Sequence, residues 1–190
     1  FHLWCGHQKP HLLRRQLAAM FGVPEHAVRI VVPDVGGGFG LKGANFPEYG
    51  LVMWAARALG RPVRWQASRS ESLAADDHAR DHAVEARLAL AADGRFLAIE
   101  LATIANLGAY LSDYGPHSST NNLGGLSGMY RIPAIHASVT GVFTNTAPIA
   151  PYRGAGRPEA TFAIERLIDQ AAVETGSDPV DLRRSNLIGE

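Results

Sequence analysis

Thiols are almost missing from this chain: Cys5 is the only cysteine in 190 residues. A single thiol builds no internal disulfide framework and no cysteine cage for zinc or an iron–sulfur cluster. An excess of either charge is also missing, since 18 Lys+Arg stand against 18 Asp+Glu, with a pI near 7.3. That balance argues against a general nucleic-acid or anionic-membrane binder, which needs a basic stripe. No apolar run approaches the roughly 18–20 residues of a membrane span, and no basic-then-apolar signal segment opens the chain. What remains is globular: 46 % of residues are apolar and 19 % charged, enough for a real core in one domain or two small ones. The chain opens on Phe1 and closes on Glu190 directly after a helix-like segment. We therefore expect a piece of something larger.

The 20 glycines and 11 prolines are clustered, and the clusters punctuate the chain. After Pro10, the residues Leu13, Leu17, Met20 and Phe21 recur at helical spacing, with Gly22 as the stop. Val28–Val32 reads as a strand closed by Pro33-Asp34. Pro47–Leu59 reads as a helix ended by Gly60, and Val63–Gln66 as a second strand. Val84, Ala86, Leu88 and Leu90 alternate along 82–90, and Asp93-Gly94 turns the chain into a further strand over Phe96–Ile104. Ser112–Met129 is loop-like. Val139–Phe143 suits a strand. Ile164, Leu167, Ile168, Ala171 and Ala172 form a helical stripe that ends near Gly176. Asp178 with Pro179 opens a last short helix. Helices mixed with an antiparallel hairpin predict an α+β fold, with a mixed or antiparallel sheet and packed helices, rather than a doubly wound parallel sheet.

Two Gly-rich segments carry the chemical information. Gly38-Phe39-Gly40-Leu41-Lys42-Gly43 matches G-x-G-x-x-G after a strand, the pattern that lets backbone approach a pyrophosphate. The helix, however, starts only near Pro47, and no ribose-binding acid follows; Arg69 would at best suit a 2′-phosphate. A Walker loop fails because Leu41 stands where glycine must precede Lys42. The same glycines also suit a surface loop, or a nest of N–H groups that binds oxygen. The second segment is Tyr152-Arg153-Gly154-Ala155-Gly156-Arg157-Pro158-Glu159. It can aim a guanidinium or its own N–H groups at an oxyanion, or simply cap the helix behind it. The pairs His7/His11 and His78/His82 lack a third ligand and straddle predicted element boundaries, so they read as surface or structural histidines. Gly124-Gly125-Leu126-Ser127-Gly128 misses the nucleophile-elbow spacing at Met129.

Taken in order, the segments resemble the molybdenum-binding large subunit of the xanthine dehydrogenase/aldehyde oxidase family. The resemblance rests on Gln8-Lys9-Pro10-His11, Pro33–Gly40, Pro62–Trp65, His78-Ala79-Arg80-Asp81, Asp93-Gly94-Arg95, Gly108-Ala109-Tyr110, Tyr130–Pro133, Thr144-Asn145 and Pro151–Glu159. It implies that residues 1–190 are an internal stretch of the first molybdopterin-binding region. It also implies a molybdenum–molybdopterin cofactor in its cytosine dinucleotide form, with FAD and iron–sulfur clusters on partner subunits or domains. A cytoplasmic setting is expected, with a small-molecule substrate and neither nucleic acid nor membrane as partner. By the same resemblance, Gln8 hydrogen-bonds an oxygen ligand of molybdenum. Gly38, Phe39 and Gly40 lie beside the metal and its pterin, and Arg153 is the arginine of the active-site loop.

In that family a substrate carbon is hydroxylated with water-derived oxygen while electrons leave through iron–sulfur centres. The general-base glutamate lies near the large subunit's C-terminus and has no match here, so no catalytic residue is assigned to this chain and the isolated piece is expected to be inactive. Three positions narrow the substrate pocket. Gly43 stands where xanthine-type members place a glutamate, Asn121 where they place an arginine, and Ala155 where they place a stacking phenylalanine. Gly154 stands where copper-containing carbon monoxide dehydrogenases carry a cysteine. An aldehyde or N-heterocycle oxidising enzyme fits best. The alternatives are an NADP-binding oxidoreductase domain, resting on Gly38–Gly43 and Arg69, and a non-catalytic interaction domain.

Overall fold

The computed structural model describes residues 1–121 and 123–189, and divides into two compact units, Phe1–Asp77 and His78–Glu190. In the first unit, β1 (His2–Trp4) pairs in parallel with β2 (Arg29–Val31). Between them runs α1 (Pro10–Phe21), which proline opens and Gly22 closes in the left-handed conformation at φ 62°. Leu13, Leu17 and Ala18 of this helix pack with Leu3, Val28 and Met53, the last from α2 (Pro47–Leu59). Met20, expected in the helical stripe, is instead 68 % exposed. Ala18 takes the inward position, and Phe21 packs at the margin of the cluster.

Val63–Gln66 forms no strand. Its β-branched and aromatic residues favour extension, but among the described residues no ladder partner lies beside them. The chain turns instead into α3 (Arg69–Ala75), which begins with a capping box. The Glu71 N–H donates to the Ser68 hydroxyl and the Ser68 N–H donates to the Glu71 carboxylate. Both bonds hold the Glu71 carboxyl below its ordinary range.

The second unit is built on a three-stranded mixed sheet. The central β4 (Phe96–Asn106) pairs antiparallel with β3 (His82–Leu90) and parallel with β5 (Ala134–Val142). β5 starts five residues before the expected Val139. The parallel pairing demands a crossover, and residues 107–133 supply it. They include a short helix α4 (His117–Thr120) and a 3-10 turn at Leu123–Gly125 inside the segment expected to be loop.

One face of β4 carries the core. Ile99, Leu101 and Ala105 alternate inward, and by strict alternation Leu97 would join them. A register shift between Ala89 and Leu90 pairs Leu90 with Phe96, so Phe96 turns inward (3 % exposed) and Leu97 outward. Against this face lies α5 (Arg157–Thr175), burying Ala160, Ala163, Ile164, Ile168, Ala171 and Ala172. α6 (Pro179–Ser185) opens at Asp178, whose carboxylate accepts from the N–H groups of Val180 and Asp181, and adds Leu182 to the core.

Asn186, 4 % exposed, ties the end of α6 to the hairpin between β3 and β4. Its Oδ1 accepts from the Phe96 N–H at 2.8 Å, and its Nδ2 donates to the Leu182 carbonyl at 2.9 Å and the Gly94 carbonyl at 3.0 Å. Asn186→Ala leaves a buried N–H and carbonyl oxygens without partners. We expect a loss of about 2–4 kcal/mol for this unit, read as a lower urea midpoint at unchanged slope.

Candidate functional site

The first unit gathers the expected Gln8, Gly38, Phe39 and Gly40 into one constellation. Residues 36–40 are wound tightly: Gly36, Gly37, Phe39 and Gly40 all have positive φ, at 68°, 92°, 51° and 99°. Glycine adopts this region freely, while for Phe39 it is strained. The winding brings the Gly40 N–H to the Gln8 side chain, which accepts it at Oε1 over 3.0 Å. Gly38 faces the same side chain, and a Cβ there would stand 2.5 Å from Gln8 Oε1. Glycine at 38 is therefore a condition for Gln8 to occupy its place.

Gln8 is held from its own backbone as well. Its N–H donates to the Lys42 carbonyl at 2.8 Å, and the Lys42 ammonium donates to the Val35 carbonyl, closing the loop on itself. The neighbouring His7 is 2 % exposed. Its Nδ1 accepts from the Lys9 N–H at 2.9 Å, which leaves Nε2–H to donate to the Ala44 carbonyl at 3.2 Å. His7 is thus a structural brace, as its spacing suggested. Tyr49 packs edge-on against its ring at 5.8 Å and donates to the Gly6 carbonyl at 3.3 Å. Burial pushes the Tyr49 phenol well above its usual range, with smaller contributions from Cys5, Glu48 and Asp76. Burial also raises the Cys5 thiol, so it is a poor nucleophile at neutral pH.

Because Gln8 Oε1 is engaged, its amide nitrogen is left to donate to an external oxygen. One N–H of the expected oxygen-binding nest, that of Gly40, is used internally. The dinucleotide pattern is not realised in space. Gly43 ends a 3-10 turn over Leu41–Gly43, α2 begins only at Pro47, and Arg69 lies in the first turn of α3. Gly43 is buried, and a Cβ there would meet Lys9 Cε at 3.7 Å, an ordinary contact.

The second unit presents Arg153 and Ala155 on a loop in which three successive residues are left-handed: Gly154 at φ 96°, Ala155 at 46° and Gly156 at 97°. Gly154 is crowded by the ring of Pro158, 2.5 Å from where a Cβ would be. The Ala155 N–H closes a turn onto the Tyr152 carbonyl at 2.7 Å, and Gly156 starts α5. Asn121 follows α4, its N–H donating to the His117 carbonyl at 2.8 Å, and it is exposed. Sequence reasoning missed the part played by Arg80. Its backbone is left-handed at φ 62°, its guanidinium lies 4.8 Å from the Tyr152 ring centroid, and it donates to the Arg153 carbonyl. The motif His78–Asp81 was the available signal, but a contact spanning 73 positions leaves no local trace.

Among the described residues, no three His, Cys, Asp or Glu side chains converge as a metal site. The loop of the first unit offers an amide donor and glycine backbone, and the loop of the second, separately, a guanidinium; each suits an anionic or oxygen-rich group. The molybdopterin cofactor-binding domain family matches residues 1–187, and the chain belongs to that family. It is 42 % identical over 178 residues to the gamma subunit of the 6-hydroxypseudooxynicotine dehydrogenase complex of Paenarthrobacter nicotinovorans, covering 94 % of this chain and 22 % of that one. It is 39 % identical to the carbon monoxide dehydrogenase large chain of Hydrogenophaga pseudoflava, covering 95 % and 23 %. Among solved structures, quinoline 2-oxidoreductase from Pseudomonas putida 86 superposes with a TM-score of 0.95 at 40 % identity, covering 99 % of this chain and 24 % of that one. The chain spans about a quarter of the length of the relatives it matches.

The geometry makes Gln8 and Gly38 interdependent. Gly38→Ala is expected to push the Gln8 side chain aside and cost about 1 kcal/mol, chiefly the lost hydrogen bond from the Gly40 N–H. Adding Gln8→Ala, which removes the side chain the new methyl meets and forgoes the same hydrogen bond, should add little to that loss. A double-mutant cycle by denaturant unfolding reads the coupling, and purely additive costs would show that the two residues do not share the space.

Proposed function

We propose that this chain is an internal, cofactor-binding stretch of a molybdenum hydroxylase large subunit whose parent enzyme oxidises N-heterocycles or aldehydes. The carrying observation is the Gln8–Gly38–Gly40 arrangement, in which glycine clears room for one glutamine and a loop N–H fixes its orientation. Exposure of all three tryptophans, Trp4, Trp54 and Trp65, at 64 %, 59 % and 49 %, supports the placement within a larger subunit, because apolar surface of that size is ordinarily covered.

In the parent, Gln8 would donate its amide N–H to an oxygen ligand of the metal. Gly38 and Gly40 would line the pterin side with backbone that no Cβ obstructs, with Phe39 between them. Arg153 would supply a fixed positive charge for an anionic part of the cofactor. When bound, the cofactor supplies a redox centre at which water-derived oxygen is added to a substrate carbon and two electrons are taken up. The cytosine dinucleotide form, and FAD and iron–sulfur clusters on partner subunits, belong to this proposal. The relatives named as a large chain and as a gamma subunit of a complex support the multi-subunit setting. Among the described residues no helix is long and apolar enough to cross a membrane, in keeping with the cytoplasmic setting proposed.

The test is metal and nucleotide analysis of the purified full-length parent. Molybdenum with a pterin dinucleotide is expected; bound NADP, or neither, would replace this function with one of its alternatives. Gln8→Ala and Arg153→Ala should each lower molybdenum content without unfolding the protein.

Substrate preference follows from the three pocket positions. Gly43 offers no side chain, Asn121 no charge and Ala155 no ring to stack on a purine face. A site lacking those polar anchors forgoes the large discrimination, roughly 10⁴-fold or more, that buried hydrogen-bonding groups give. Relatives named for quinoline and 6-hydroxypseudooxynicotine support an N-heterocycle as substrate class. In competition between xanthine, an aromatic aldehyde and an N-heterocycle, the loaded parent enzyme should favour the latter two by kcat/KM. A clear preference for xanthine would show that the purine clamp is built elsewhere.

A further inference from the structure

We infer that Arg80 is the positioning residue of the Tyr152–Pro158 loop, a clamp that fixes the backbone from which Arg153 is presented. The inference rests on the assignment of Arg153 to the cofactor. Three groups of the loop and its helix meet one guanidinium. The plane lies 4.8 Å from the Tyr152 ring centroid, Nη2 donates to the Arg153 carbonyl, and Nε stands 3.6 Å from Glu159 Oε1 in the first turn of α5. A planar, permanently charged fork can do all three at once, whereas an ammonium cannot. The surroundings make the contact count, because the Arg80 and Glu159 side chains are only 33 % and 16 % exposed. Neither Glu159 oxygen has a hydrogen-bond partner among the described residues, although both are shut off from solvent. Arg80 therefore supplies the nearby countercharge that a buried carboxylate needs.

Backbone conformation points the same way. Arg80 is left-handed at φ 62°, a state an arginine does not choose by itself, and the loop it grips contains the left-handed Ala155. Neither strain persists unless the surroundings over-determine the conformation. The Arg80 guanidinium links the two strained segments.

The test uses the full-length, cofactor-loaded parent enzyme. Arg80→Gly removes the guanidinium yet suits the left-handed backbone, so its effect reports the clamp rather than misfolding. Ile168→Val, in the buried core of the same unit, serves as a control for general loss of stability. We expect amide exchange at residues 153–157 to accelerate about tenfold in Arg80→Gly, the change that loss of one charge-assisted hydrogen bond produces, and not in Ile168→Val. The electron paramagnetic resonance signal of the bound molybdenum should shift in Arg80→Gly and stay as in wild type in the control. Arg80→Lys should restore exchange only in part. Unchanged loop exchange in Arg80→Gly, or an equal rise in Ile168→Val, would overturn the clamp. If the loop loosens but Arg153→Ala keeps wild-type molybdenum content and signal, the clamp is real and the cofactor role of Arg153 is what fails.

Discussion

The side chain of Gln8 fills the space that a Cβ would need at residue 38, and the local geometry of the Gly-rich loop follows from that exclusion. With glycine at 38, the amide lies against bare backbone and receives the Gly40 N–H. Holding it there requires that its own backbone be fixed, which the Lys42 carbonyl does from one side and the buried His7 from the other. His7 is in turn set against Tyr49 of α2. The core of α1 and α2 thereby reaches one polar side chain through a ring contact and a short chain of hydrogen bonds. A glutamine on a mobile loop would have to pay the entropy of its own ordering when it meets a ligand; this one is ordered beforehand.

The second unit solves a similar problem by different means. Its loop carries no interdigitated glutamine, and the fixed points are the first turn of a long helix and a single arginine. α5 is nineteen residues long and packs a stripe of alanine and isoleucine into one core with residues of β3 and β4, which anchors the helix behind the loop. Small residues let helix and sheet approach closely, which suits a helix whose task is to present its N-terminal loop at a defined height. Pro158 in the first turn crowds Gly154, and the loop bends where only glycine bends readily.

Much of this was legible in local sequence. Pro10 with Gly22, Pro47 with Gly60 and Asp178 with Pro179 bound helices because capping and proline geometry act over three or four residues. The hairpin around Asp93-Gly94 was equally plain, and so was the mixing of helix and sheet that gives the α+β class. Val63–Gln66 was misread because β-propensity says only that a segment suits a sheet, not that a neighbour awaits it. α3 went unseen although Ser68 and Glu71 spell a capping box, its short run being masked by the apparent strand before it. At the site, the motifs pointed to Gln8, Gly38–Gly40 and Arg153, but the constraints that hold them did not show. The need for glycine at 38 depends on a residue thirty positions earlier. The roles of His7 and Arg80 depend on carbonyls 37 and 73 positions away.

Backbone strain marks the same places without any appeal to motif. Among the described residues only three non-glycine positions have positive φ: Phe39, Arg80 and Ala155. Each such residue costs on the order of 1 kcal/mol or more, against a total stability of roughly 5–15 kcal/mol for a domain. Two of the three lie inside the Gly-rich loops and the third grips one of those loops. Phe39 keeps a half-exposed ring in a turn that favours glycine. Ala155 keeps a methyl where the residues on either side are glycine. Among the described non-glycine residues, then, left-handed backbone is confined to the Gly-rich loop of each unit and to the arginine that grips one of them, the segments to which a ligand-holding role is proposed.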